Sequence, residues 1–295
     1  MSGRAAGLSS RVNMATVADL LQRHNELSPA SDTALLDTEL LLCHSLSVDR
    51  AWLKTWPDKI LSAPDMQRFE QLFRRRLEGE PVAFIIGSQG FWTLDLKVSP
   101  HTLIPRPETE LLVETAMQLE LPNNSQVLDL GTGTGAIALA LASEYPQWQM
   151  TAVDVQASAV ELAEQNRLAC RLKNVTIYQS DWFAAVANRQ PQTLFNLIVS
   201  NPPYIEIDDA HLFEGDVRFE PASALVSGTQ GLDDLQLVIG QSSGFLAPAG
   251  WLLVEHGHAQ GLAVRDLFNE AGYVLVETRQ DYNQLDRITL GRLAD

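Results

Sequence analysis

Asn201-Pro202-Pro203-Tyr204 is the segment of this 295-residue chain best suited to chemistry. It follows Leu197-Ile198-Val199-Ser200, an apolar run of strand composition. Each proline fixes its own φ and removes an N–H donor. Asn201 precedes a proline and is driven toward extended geometry. What remains is a stiff rim with two acceptors, the Asn201 side-chain oxygen and the Pro202 carbonyl. Tyr204 adds a flat π face. A planar NH₂ group needs this set: its hydrogens go to the two oxygens and its face lies on the ring. A nitrogen held so is aimed at an electrophile, and positioning is a large catalytic effect. Its lone pair is delocalised, and tight hydrogen bonding favours a more tetrahedral nitrogen as it attacks. A sulfonium methyl beside the π face is also electrostatically favoured. No general base is needed beforehand, because the proton turns acidic only as the nitrogen gains positive charge. A proline-rich turn closing a buried strand is the competing reading.

The second motif is Val127-Leu128-Asp129-Leu130-Gly131-Thr132-Gly133-Thr134-Gly135-Ala136. A buried strand ends in a glycine loop and a helix opens at once. Glycines allow φ > 0 and let a ligand approach closely. The free N–H groups of the new helix favour an anion or a carboxylate. The spacing is G-x-G-x-G, whereas the dinucleotide fingerprint is G-x-G-x-x-G, so a dinucleotide site stays open but disfavoured. The next strand ends at Asp154. An acidic residue about 20 positions on can bind both ribose hydroxyls. The pair points to a nucleoside-containing cofactor. After the third strand, Asp181 and Trp182 suit an adenine, one accepting from the exocyclic amine and the other packing on the ring; a helix cap with core aromatics is the alternative.

Other candidates are weaker. Glu255-His256-Gly257-His258 lacks a third metal-ligand pattern and reads as a structural or substrate loop. Asp208, Asp209, Glu214, Asp216 and Glu220 read as a solvated loop or as acidic groups that receive a basic partner. Arg74-Arg75-Arg76 reads as a solvated helix face. Cys43 and Cys170 form neither a disulfide framework nor a zinc signature.

The elements that must position these residues fall in two halves. Residues 15–77 are helical throughout, with apolar stripes at Val17, Leu20 and Leu21, at Leu35, Leu36, Leu40 and Leu42, at Trp52, Leu53 and Trp56, and at Phe69, Leu72, Phe73 and Leu77. This predicts a bundle of four or five helices over 14–79. Residues 83–87 and 90–94 have strand composition around Gly-Ser-Gln-Gly and predict a β-hairpin linker over 80–100. The prolines of Ile104-Pro105-Arg106-Pro107-Glu108 stiffen a loop, and Pro107 with Glu108 suits a first helical turn. From 126 onward, runs at 127–130, 150–155, 175–179, 196–200, 251–255, 273–278 and 287–290 alternate with helical patterns at 136–145, 157–172, 231–246 and 259–271. That alternation predicts an α/β domain over 101–295, a mostly parallel sheet covered on both faces. The short link at 279–286 makes the last two strands antiparallel neighbours. Residues 1–13 are small and polar, lack an apolar h-region, and read as a tag or a disordered N-terminus.

Composition bounds the function. The net charge is −16, which speaks against a protein that follows nucleic-acid phosphates. No apolar run approaches the ~18 residues of a membrane span.

Asp129 to Gly135, Asp154 and Asn201 to Tyr204 together resemble class I S-adenosylmethionine-dependent methyltransferases acting on planar nitrogen. Residues 102–110, 180–183, 201–205, 215–221 and Glu255-His256-Gly257 narrow the resemblance to the PrmC/HemK family of protein glutamine N5-methyltransferases. Its members modify the Gly-Gly-Gln motif of class-1 peptide chain release factors. The likeness runs from Met14 to the end. The tetrapeptide is shared with nucleic-acid N6-adenine methyltransferases, and the ribosomal-protein glutamine methyltransferase paralogue breaks the pattern after the arginine of the 104–108 stretch. The resemblance implies a seven-stranded doubly wound sheet with a small N-terminal helical domain that recognises the release factor. It implies S-adenosyl-L-methionine as cofactor, with Gly131, Thr132, Gly133, Thr134 and Gly135 cradling its methionine part and ribose. Asp154 would hold the ribose, Asp181 and Trp182 would meet the adenine, and Asn201 would adjoin the cofactor. Asn201, Pro202, Pro203 and Tyr204 would clamp the glutamine amide. Arg106 either lines the pocket or holds its own loop. A cytoplasmic monomer without direct nucleic-acid or membrane contact is expected. A non-catalytic cofactor-binding or redox domain is the contrasting class, and it would have no use for Asn201 and Tyr204.

Overall fold

The computed structural model describes residues 15–28, 31–188 and 193–294. The expectation for residues 1–13 lies outside the described residues. The chain forms two compact units, Met1–Ile86 and Gly87–Asp295.

The first unit contains, among the described residues, α1 (Val17–Leu21), α2 (His24–Leu27), α3 (Ala34–Leu46), α4 (Arg50–Thr55), α5 (Ala63–Leu77) and α6 (Val82–Ile86). Caps explain the starts. Thr16 and Asp19 form a reciprocal capping box at α1. Asp49 accepts from Trp52 N (2.7 Å) at α4, and Ser62 accepts from Asp65 N (3.3 Å) at α5. Val17, Leu20, Leu27, Leu41, Leu42, Leu53, Phe69 and Phe73 fill the core. Leu35 and Leu36 are exposed instead, because α3 turns Ala34, Leu41 and Leu42 inward, and Trp56 after α4 and Leu77 at the end of α5 are exposed as well. Arg76 also departs from expectation: it is buried, with Nε 2.7 Å from Asp37 Oδ2. A buried guanidinium needs such a partner, so this arginine braces α5 on α3 rather than facing water.

Residues 83–86 are helical, not a strand. Pro81 opens the turn, and its carbonyl accepts from Ile85 N at 3.0 Å. Gly87, at φ +79, ends the turn. The hairpin lies further on, as β1 (Ser88–Phe91) and β2 (Leu94–Lys97), with Phe91 opposite Leu94. Its turn is therefore Trp92-Thr93, not Gly-Ser-Gln-Gly. Trp92 has φ +57, and Glu110 Oε1 accepts from its backbone N at 2.7 Å. Phe91 and Leu96 are buried in the core of the second unit, so the hairpin belongs to that unit rather than serving as a linker.

The rest of the second unit runs α7 (Glu110–Met117), β3 (Gln126–Leu130), α8 (Ala136–Glu144), β4 (Gln149–Asp154), α9 (Ala157–Ala169), β5 (Val175–Gln179), α10 (Ala184–Ala187), β6 (Phe195–Ser200), α11 (Asp233–Ser242), β7 (Leu246–Glu255), α12 (Gly261–Glu270), β8 (Tyr273–Gln280) and β9 (Asp286–Leu293). The seven-stranded sheet has the order β5-β4-β3-β6-β7-β9-β8. β9 is antiparallel to β7 and β8, and the other pairings are parallel. Successive residues point to opposite faces. Val127, Leu197, Val199 and Leu253 join one buried cluster; Leu128, Leu130, Ile198, Leu252 and Val254 join the other. This is why the central strands read as unbroken apolar runs. Among the described residues, no helix is long and apolar enough to cross a membrane.

Candidate active site

The strand order dictates where a ligand can sit. From β3 the chain builds outward to β4 and β5; from β6 it builds the other way to β7, β9 and β8. Such a reversal opens a crevice at the carboxyl ends of the two central strands. Leu130 of β3 pairs with Ser200 of β6, so Gly131 and Asn201 leave neighbouring strands at one level. Leu130 also pairs with Val153, which brings Asp154 to the other side of the glycine loop.

The loop is held from below. Thr132 N donates to Val153 O (2.9 Å), and Gly133 N donates to Asp154 Oδ2 (2.9 Å). Gln156 N donates to Asp154 Oδ1 at 2.9 Å. Gly131, at φ +70, and Gly133, at φ +55, sit in the left-handed region that side chains avoid. Helix α8 begins at Gly135, which has no side chain to cap it; Asp129 takes that part. Its Oδ2 accepts from Ala138 N (3.2 Å) and from the Thr132 hydroxyl (2.6 Å). Asp129 is fully buried, and burial pushes its pKa up to about 7. Burial also raises the Asp154 carboxyl above its ordinary value, against the backbone N–H groups that favour the charge.

A cavity of about 200 Å³ opens beside this loop. Of the residues singled out from sequence, Gly131, Thr132, Gly133, Thr134, Asp154, Trp182, Asn201 and Pro203 line it. Gly135, Asp181, Pro202, Tyr204 and Arg106 are not among its lining residues. Each has a structural reason. A Cβ on Gly135 would lie 3.0 Å from Leu139 Cδ1, so that glycine permits close packing. Asp181 is exposed and its carbonyl accepts from Ala184 N (2.9 Å), and Pro202 is buried. The Tyr204 hydroxyl points to Glu255 Oε1, 3.3 Å away. Arg106 Nη2 donates to Glu220 Oε1 at 2.6 Å.

The last contact bears on two expectations, matching one of the two readings of Arg106 and correcting that of Glu220. Arg106 ties its own loop to the 217–220 turn, and Glu220 is a buried carboxyl rather than part of the exposed acidic surface. Burial pushes the Glu220 pKa up to about 7, with Arg106 pulling it back. Sequence reasoning missed Leu103, Thr109, Ile137, Val155, Gln156 and Asp234, which also line the cavity. Val155 and Gln156 directly follow the strand-end acid, so that position was a usable signal; nothing local marks Asp234. His256 is occupied within the fold: its Nε2 stands 2.8 Å from Thr289 Oγ1 and its Nδ1 2.9 Å from Gly257 O.

Asn201 is oriented by its neighbour. Its Nδ2 donates to Thr109 Oγ1 (3.2 Å), which leaves Oδ1 as the acceptor not used by that bond. Burial and the Glu255 charge both raise the Tyr204 pKa, so the phenol stays neutral.

S-adenosylmethionine fits these walls. Asp154 spends one lone pair of each oxygen on a backbone N–H, leaving acceptor capacity for a ribose diol. Trp182, Ile137, Val155 and Leu103 offer apolar surface to a purine. Among the described lining residues, Asp154 and Asp234 are acidic and none is lysine or arginine. That balance suits a sulfonium cation better than a pyrophosphate.

Three buried carboxyls make stability pH-dependent. Asp129, Glu220 and Glu255 each have a folded pKa of about 7, burial being the first cause. Their neutral forms favour the fold. That stability is fully present below their ordinary values near 4 and is lost as pH rises through about 7. The urea midpoint should therefore fall from pH 5 to pH 7.5, and Glu220→Gln should flatten the slope. Carboxylates with lowered pKa, such as Glu26 and Glu164 beside arginines, titrate below this window. A midpoint independent of pH would contradict the assignment.

Residues 107–223 match the family "Methyltransferase small domain", and residues 19–87 match "PrmC N-terminal domain". The release factor glutamine methyltransferase of Pseudomonas aeruginosa is 52% identical over 281 residues, covering 95% of this chain and 100% of that protein. The namesake from Vibrio cholerae is 51% identical over 89% of this chain and 91% of its own. That from Escherichia coli K12 is 48% identical over 89% of this chain and 94% of its own. Among solved structures, a methyltransferase from Pyrococcus furiosus superposes with a TM-score of 0.53 at 16% identity, over 77% of this chain and 100% of its own. The catalytic domain of hMettl16 gives 0.54 at 14% identity, over 81% and 86%. These two likenesses speak to the fold.

Proposed function

Since the chain belongs to the release factor glutamine methyltransferase family, we infer that it methylates the side-chain amide nitrogen (N5) of the Gly-Gly-Gln glutamine in class-1 peptide chain release factors. S-adenosylmethionine, when bound, supplies an electrophilic sulfonium methyl group. Gly131 to Thr134 form the cradle of backbone around it, with Gly135 allowing close packing behind them, Asp154 accepts from the ribose hydroxyls, and Trp182 packs on the adenine. Asn201 Oδ1 and the Pro202 carbonyl accept the two amide hydrogens of the glutamine. Pro203 keeps that rim stiff, and the Tyr204 ring supports the amide plane. The clamp holds the nitrogen in line and favours tetrahedral geometry there; the N–CH₃ bond would form as the S–CH₃ bond breaks, and the nitrogen's proton, acidic only then, would pass to water. Arg106 acts from outside the reacting atoms, holding the loop that carries Thr109.

The observation that carries this reading is the Asn201 carboxamide. It leaves the strand next to the glycine loop, and its nitrogen is tied back to Thr109. The Thr109 bond uses the nitrogen and not Oδ1, and Asn201 lines the cavity, so an acceptor is available there for a planar NH₂ substrate. The partner is a protein, and we place the enzyme in the cytoplasm as a monomer that makes no direct contact with nucleic acid.

The test uses radiolabelled S-adenosylmethionine with unmodified release factor, a release factor with its motif glutamine replaced, ribosomal proteins and DNA. Label on the Gly-Gly-Gln amide, absent from the replaced protein, is expected. Label on a ribosomal protein or on adenine would move the chain to another substrate branch. Asp208 and Glu214 are exposed, Asp209 and Asp216 half-buried; all four follow the tetrapeptide, and their charge suits a basic partner surface. Reversing their charge should raise KM for the folded release factor about tenfold, and leave cofactor affinity alone. An unchanged KM would remove that role.

A further inference from the structure

A buried amide that the proposed reaction does not use joins the glycine loop to the end of the hairpin. Asn166 of α9 is 1% exposed. Its Oδ1 accepts from Lys97 N (2.8 Å), and its Nδ2 donates to Lys97 O (3.0 Å) and to Thr134 O (2.9 Å). These bonds settle which end of the carboxamide is which, since its oxygen only accepts and its NH₂ only donates. Toward Lys97 the side chain acts as a neighbouring strand would, taking the N–H and the carbonyl of one residue. Lys97 ends β2, and the chain running on from it supplies His101, Thr102 and Leu103 to the cavity wall. Thr134 belongs to the glycine loop and lines the same cavity.

Thr134 is where that loop needs a hold. It stands between Gly133, at φ +55, and Gly135, at φ +86, so the torsions beside it are easily turned. A helix one residue longer would satisfy Thr134 O with Ala138 N. Instead the ladder of α8 opens with Leu139 N donating to Gly135 O (2.8 Å), and Ala138 N donates to Asp129 Oδ2 (3.2 Å). Two side chains thus take the two ends of the missing rung, Asp129 the N–H and Asn166 the carbonyl. The far end of the same peptide plane is fixed as well, because Gly135 N donates to Thr132 O (2.8 Å).

We propose that Asn166 is a positioning residue that sets the Thr134–Gly135 peptide plane and ties the cofactor loop to the wall following β2. The cradle is then shaped before the cofactor arrives. Without the Asn166 NH₂ a buried carbonyl lacks its donor, and a plane flanked by glycine turns at little cost. Binding must then reorder the loop, and affinity falls accordingly. The coupling is reciprocal: if the bond strengthens cofactor binding, bound cofactor strengthens the bond by the same factor.

The proposal rests on the glycine loop being the cofactor cradle, which Asp154→Ala tests separately. Asn166→Asp keeps an acceptor for Lys97 N and sets an oxygen against two carbonyls. It should weaken the calorimetric Kd for S-adenosylmethionine about tenfold, the worth of one hydrogen bond, with kcat at saturating cofactor unchanged. Leu162→Ala, one turn earlier on the same helix, removes buried apolar surface. It should lower the thermal midpoint at least as far and leave Kd alone. In protein labelled with ¹⁵N-asparagine, the Asn166 side-chain signals are assigned by their loss in Asn166→Asp. Adding S-adenosylmethionine to the wild-type protein should slow exchange of that NH₂ with water about tenfold. A wild-type Kd in Asn166→Asp would overturn the proposal. So would equal weakening in Leu162→Ala, which would make the asparagine a packing residue. If Asn166→Asp does not fold, Asn166→Ala serves for the assignment, and an NH₂ whose exchange ignores the cofactor sinks the coupling. Normal cofactor binding by Asp154→Ala would instead remove the cradle reading, and the proposal with it.

Discussion

Asn201→Ala is expected to lower kcat for release factor methylation by about 10³-fold, while the Kd for S-adenosylmethionine changes less than about twofold. The reason lies in what the substitution removes. In the proposed clamp, Asn201 supplies one of two acceptors for the amide hydrogens, and the Pro202 carbonyl supplies the other. With one gone the amide swings about the remaining bond, and its nitrogen leaves the line of attack. The cofactor cradle is built from β3 and β4, so it does not depend on this side chain. The stopped-assay rate with tritiated cofactor, beside calorimetric cofactor binding, separates the two effects. A variant with full turnover would refute the assignment, and one that loses cofactor binding in step with turnover would place Asn201 in the cofactor site instead.

Asp154→Ala should show the opposite pattern, with cofactor affinity weakened by about 10²- to 10³-fold. Hydrogen bonds to a charged acceptor are worth roughly 1.5–3 kcal/mol each, and a ribose offers two hydroxyls. The alanine also leaves Gly133 N and Gln156 N without their acceptor, so the loop loosens at both strand ends. Asp154→Asn separates these contributions, because one oxygen remains for the loop. It should recover much of the thermal midpoint and little of the affinity. Calorimetry and a melting curve on the same samples check this; an alanine variant that binds cofactor normally would dismiss the ribose role.

Much of the second unit was legible because its sheet is buried on both faces. All seven strands announce themselves as short β-branched runs, and the crossover helices as what separates them. The glycine loop, Asp154 and the tetrapeptide were legible because strand ends are local in sequence. What was not legible is pairwise and distant. Arg106 meets Glu220 across 114 positions, and no local pattern says that this glutamate is buried. Arg76 was hidden in a basic run, its partner Asp37 lying 39 positions away. The hairpin slipped because 83–86 has strand composition, while Pro81 and Gly87 punctuate it as a helical turn. Glu255 was noticed beside two histidines, and its link to the tetrapeptide emerges only when β7 is laid against β6.

The pairing of Leu130 with Ser200 acts as a ruler. Neighbouring strands are held about 4.8 Å apart by main-chain hydrogen bonds. The loop that carries the donor and the loop that carries the acceptor leave from those two strands at the same rung. The spacing of those two loops is thus set by a distance common to every sheet. In the proposed reaction, side chains such as Asn201 then aim the nitrogen within that spacing.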